Sequence, residues 1–146
     1  MNMRKTAYWI ATIFVAFIMT VSGVLAVAHA PAFMKALAHL GYPVYFSDLL
    51  GIAKLLGVFV LLGPRWARLK EWAYVGFGIT ILSASYSHLR SGDGLMALEP
   101  FVAFAALVAS YLSRPADRRF FPSAQASDVI PAALRPPAAQ AERSRA

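Results

Sequence analysis

The chain has 146 residues, 59% hydrophobic and 14% charged, against about 25% charged in soluble domains, so a compact soluble domain is excluded. Lys and Arg number 14 against 7 Asp and Glu, and in so apolar a chain this net +7 points to membrane orientation and anionic headgroups rather than nucleic acid. Cysteine is absent, which removes disulfides, thiolate metal sites and CxxC redox pairs, so any electrons are not carried on the chain's own sulfur.

Four apolar spans follow one another. The first covers residues 7–28 without a charge, roughly 33 Å on the helix rise and enough to cross a bilayer. Arg4 and Lys5 before it and Ala28-His29-Ala30 after it imitate a signal peptide, but the run exceeds the usual h-region, so a retained helix is expected. The second covers 44–62 and is interrupted by Asp48 and Lys54; the third covers 72–88, and the fourth covers 95–112 with Glu99 and Pro100 near its start. All four are apolar almost all round, as helices facing both lipid and other helices are. Residues 114–146 hold five of the nine prolines and read as a disordered tail, with Arg114, Arg118, Arg119, Phe120 and Phe121 as a membrane-surface anchor.

The expected fold is therefore all-α, an integral membrane four-helix bundle over residues 1–113. Arg4, Lys5, Arg65, Arg68, Lys70, Arg114, Arg118 and Arg119 fall on one side, and only Lys35 and Arg90 on the other. The positive-inside rule then makes both termini cytoplasmic.

This topology collects His29, Asp48, His88 and Glu99, one from each span, at the outer end. Lys54 lies roughly 9 Å deeper than Asp48, and charge at that depth is expected to find an interior partner: a carbonyl, a hydroxyl or Glu99. His29 also reads as an interfacial ring, Asp48 as a helix cap and Glu99 as a first-turn acid complementing the dipole. Gly76, Thr80, Ser83 and Ser87 make one small, polar stripe at i, i+4, i+7 and i+11, repeated by Glu99, Ala103, Ala106 and Ser110. Such stripes read first as packing seams. No phosphate loop, GxSxG elbow, HExxH or Glu-x-x-His pair is present, and no ligand spacing supports a metal.

Taken together, Ser22-Gly23, Leu40-Gly41-Tyr42-Pro43, the string Leu50 to Gly57, Leu69 to Tyr74, and Ser87-His88-Leu89 with Gly92-Asp93 form an ordered set. Over about residues 7–113 it resembles the DoxX-like family of small bacterial four-helix membrane proteins. The resemblance implies recurrent polar positions at Lys54, His88 and Asp93, and a wider DoxX/DoxD group with both quinone-linked oxidoreductase subunits and non-catalytic chaperones or cargo receptors.

Two functions compete on this basis. One is an accessory membrane subunit of a quinone-linked oxidoreductase in the bacterial inner membrane, with a bound quinone and a flavin or metal protein carrying the electrons. The other is a stand-alone bundle that binds or isomerises a lipophile, with His88 and Glu99 as acid and base; a plain scaffold is the blander variant. Candidate ligand-binding residues are Lys54, His88, Asp48, Ser83 and Ser87. Expected partners are the lipid bilayer, a redox protein and further copies of the chain.

Overall fold

Glycine and proline punctuation decides where this chain turns. A computed structural model of the protein describes residues 3–64, 66–115 and 118, and among these all regular structure is helical. The order is α1 (Met3–Val27), α2 (Pro31–His39), α3 (Val44–Leu62), α4 (Ala67–Ser91), a 3-10 turn (Gly94–Leu98) and α5 (Glu99–Leu112). Three helices end alike, with a left-handed residue just beyond α1 (His29, φ 49), α2 (Gly41, φ 81) and α4 (Gly92, φ 76). After α4 the Gly92 amide bonds the Leu89 carbonyl at 3.3 Å and the Asp93 amide bonds that of His88 at 3.1 Å. This is the Schellman closure, and the same pair of bonds closes α1 and α2.

Among the described residues three segments are long and apolar enough to cross a membrane: Met3–Val27, Val44–Leu62 and the continuous Gly94–Leu112. The third expected span differs from the sequence reading. It lies within α4, a helix of 25 residues, but Gly76, Gly78, Thr80, Ser83, Ser85 and Ser87 dilute its apolar content. The stretch between the first two spans, expected to be loop, contains α2, which opens on Pro31 at the first helical turn.

α1 packs against α3 and α5, and α4 packs against the same two. The buried core includes Val15, Met19, Val58, Leu61, Phe77 and Leu107 and draws on all four long helices. Outward, Ile13, Phe17, Ile52, Phe59, Val75, Ile79 and Val102 are exposed, an apolar exterior suited to lipid. Trp9, Trp66 and Trp72 ring one end and Tyr45 and Tyr86 the other, as interfacial aromatics do.

The N-terminal end is sealed by buried polar groups. Ser110 shares hydrogen bonds with Thr12 and Tyr74, both at 2.7 Å. Arg114 is only 4% exposed, so it is no surface anchor. Its guanidinium donates to Glu71 at 2.6 Å and lies 3.9 Å from the Tyr111 ring centroid. Arg118 covers Trp9 at 4.6 Å and donates to the Tyr8 hydroxyl at 3.2 Å. Buried Lys70 donates to the Gly63 carbonyl, placing a cation at the C-terminal end of α3. Arg65, Arg119, Phe120, Phe121 and the rest of the expected tail beyond Arg118 lie outside the described residues.

Candidate functional site

Two cavities lie toward the other end of the bundle. A cavity of about 310 Å³ lies between α2, α3 and α4, walled by Phe33, Leu37, Leu40, Tyr42, Phe46 and Leu50, with Lys54, Thr80, Ser83 and His88 among its lining. A second, of about 600 Å³, lies between α1, α4 and α5, walled by Phe14, Ile18, Met19, Met96, Val102 and Ala103, with Ser22 and Glu99. Phe33, Lys54, Thr80, Ala84 and His88 border both. The two spaces thus meet at one cation, one hydroxyl and one imidazole.

Lys54 is half-buried in mid-helix, its ammonium 5.8 Å from the centroid of the Phe33 ring. Among the described residues it shows no hydrogen bond or ion pair, so the partner expected from the sequence is not seen. Asp48 is engaged elsewhere, accepting from His29 Nε2–H at 2.8 Å, with both side chains nearly half exposed. Six residues on a helix turn Asp48 well away from Lys54. The four groups expected to gather therefore separate: His29 pairs with Asp48, Glu99 lines only the larger cavity, and His88 joins a different acid.

That acid is Asp93. The Schellman turn folds it back on the helix end, where its Oδ2 accepts from His88 Nδ1–H at 2.6 Å. Its Oδ1 accepts from His39 Nε2–H at 2.7 Å, tying the end of α2 to the end of α4. Hydrogen bonds from His39, and then from His88, hold the Asp93 carboxyl below the usual carboxylate range. With Nδ1 engaged, Nε2 is the ring nitrogen His88 has left for a cavity occupant. The side chains of His88, Asp93 and His39 are 24%, 13% and 57% exposed, so the three form a hydrogen-bonded path from cavity wall to surface.

Sequence reasoning passed over His39. Proline at the start and glycine just past the end of the 31–41 string were the available signal, since together they delimit a helix and put His39 in its last turn. The α4 stripe behaves differently from a seam. Nothing lies within 4 Å of a Cβ at Gly76, while Thr80 and Ser83 line cavities. Ser87 bonds the Tyr42 hydroxyl at 2.7 Å, fixing the α2–α3 connection. On α5, Glu99 and Ala103 line the larger cavity, and Ser110 belongs to the sealed end. Among the described residues no group of three or more His, Cys, Asp or Glu is disposed to hold a metal ion.

The arrangement can hold a small lipophile, bond its polar head through Lys54 and Ser83, and exchange a proton through His88. Residues 10–110, which include every residue named here as lining either cavity, match the DoxX-like family. No curated protein and no solved structure matches the chain.

Proposed function

The chain belongs to the DoxX-like family, and on that premise we propose that it is an accessory membrane subunit of a quinone-linked oxidoreductase, holding a quinone in the cavities that meet at Lys54 and His88. The observation that carries this reading is the shared border: apolar walls converge on one ammonium and on an imidazole oriented by Asp93. These residues fit such a group, with Lys54 and Ser83 as donors toward a carbonyl and His88 for the proton. The quinone would supply the two-electron chemistry; the chain binds it, orients it and exchanges protons through His88, Asp93 and His39. A flavin or metal partner protein carries the electrons.

In this proposal α4 is the fourth crossing. Its uncharged stretch, residues 72–87, spans roughly 24 Å, and Thr80 and Ser83, two of the polar residues that lower its hydropathy, line the cavities. Both termini face the cytoplasm of a bacterial inner membrane, because Arg4, Lys5, Arg68, Lys70, Arg114 and Arg118 gather at one end. Reporter fusions after Gly63 and after Ala146 are expected to read cytoplasm; a periplasmic signal from either removes this orientation.

One observation favours a second reading, a stand-alone protein that binds or isomerises a lipophile. His88 and Glu99 border the same larger cavity, as an acid and base pair would. Purification from the native membrane in mild detergent separates the two. A redox enzyme and an extractable quinone in fixed proportion to the chain support the subunit. A stoichiometric non-quinone lipophile without a redox partner overturns the subunit in favour of the second reading.

A further inference from the structure

We propose that the occupant at Lys54 is anionic: an apolar body carrying an ionised oxygen acid, either a carboxylate or an acidic enol. This rests on the reading that the cavities hold a lipophile, and adds the charge of its head.

Lys54 is the eleventh of the 19 residues of α3, about 15 Å from the helix start. That is far beyond the reach of its own side chain, so the ammonium stays at depth, where an unmatched charge is strongly disfavoured. Two acids near this end of the bundle are engaged elsewhere. Asp48 pairs with His29, and Asp93 serves His39 and His88. Glu99 stands at the first residue of α5 and makes no ion pair with Lys54. The remaining contact, with the Phe33 ring at 5.8 Å, sits near the outer limit of a cation–π interaction.

The fixed charge at the shared border is also one-sided. An ammonium offers three donors and no acceptor. Among the described residues that border both cavities none is an acid, and Thr80, which gives its hydroxyl proton to the Gly76 carbonyl at 2.9 Å, is neutral. A neutral carbonyl head would accept from Lys54 yet leave its charge uncompensated. An ionised acid satisfies the donors and the charge together. The apolar walls of both cavities then take the body of the same molecule.

Equilibrium binding to the purified full-length chain in mild detergent tests this with two matched pairs: 2-hydroxy- against 2-methoxy-1,4-naphthoquinone, and palmitate against methyl palmitate. In at least one pair the ionised member is expected to bind about tenfold tighter, as charge-assisted bonds allow. Lys54→Met should abolish that preference and Lys54→Arg should keep it, with a cooperative melt of each variant in the same detergent showing the fold intact. A preference confined to the naphthoquinones assigns an acidic enol, and one confined to palmitate assigns a fatty acid. Equal binding within both pairs, or a preference that survives Lys54→Met, overturns the anionic head while leaving a lipophile site standing. No binding of any probe overturns both.

Discussion

Gly51 and Gly23 meet across the α1–α3 crossing so closely that a Cβ on Gly51 would stand 2.9 Å from the carbonyl oxygen of Gly23. It would also stand 2.6 Å from Val27 Cγ2. One turn away, Ser47 donates to the Ala26 carbonyl at 2.7 Å. Close backbones and a hydroxyl bond are how membrane helices associate without a hydrophobic drive between them. Gly51→Ala is expected to cost about 1–3 kcal/mol, seen as a lower melting temperature in mild detergent. Gly76→Ala is the control: its Cβ meets nothing within 4 Å, and helix propensity favours the change.

Asp93→Asn tests the histidine bridge through pH. The carboxyl is depressed by the His39 bond first and the His88 bond second. A depressed carboxyl contributes stability above its unfolded value, roughly 3.9, and loses it as pH falls through the folded value. The variant should therefore be less stable than the parent at neutral pH, with the difference closing below about pH 4. A melting series from neutral to acid pH checks this. A gap that stays constant would show that the charge of Asp93 is not what matters.

Lys54→Met should raise stability. A lysine at membrane depth costs about 2.5–3.5 kcal/mol on insertion scales. The Phe33 contact returns about 0.5–1 kcal/mol at most. The cost dominates, so the ligand-free variant should melt higher than the parent in the same detergent. A lower melting temperature would reveal a partner for Lys54 that outweighs the cost.

At the sealed end, Arg114→Ala should destabilise by about 2–4 kcal/mol, since it strips Tyr74 and Tyr111 of their cation and leaves Glu71 unpaired. Glu71→Gln should cost less, because the guanidinium keeps both rings and the Tyr111 carbonyl. Comparing the two melts orders the contributions; equal losses would put all the energy in the ion pair.

Where the chain is charged or apolar in long runs, sequence and structure agree. The 44–62 helix has the same bounds in both, because Pro43 and Gly63 flank an unbroken apolar run. The helix expected over 72–88 instead begins at Ala67 and ends at Ser91: polar residues flanking an apolar run do not stop a helix, and only Gly92 does. α2 was hidden because nine residues are too few for a hydrophobic period to register. Lys54, Ser83, His88 and Glu99 were visible as unusual residues in apolar spans. The joining of His39 to Asp93, 54 positions apart, was not, since it depends on how two Schellman turns aim their neighbours across the bundle.

α2 supplies Phe33, Ala36 and Leu37 to the wall of the smaller cavity, yet its nine residues are far too few to span a bilayer. Its contacts with α3 and α1 are few beside those between the long helices, and the His39–Asp93 and Tyr42–Ser87 bonds hold its far end down. Undocking these nine residues breaks fewer contacts than separating the long helices, which makes it the expected exit for a molecule in that cavity. Substitutions at His39 or Tyr42 should accordingly act on the release rate more than on the equilibrium shape of the bundle.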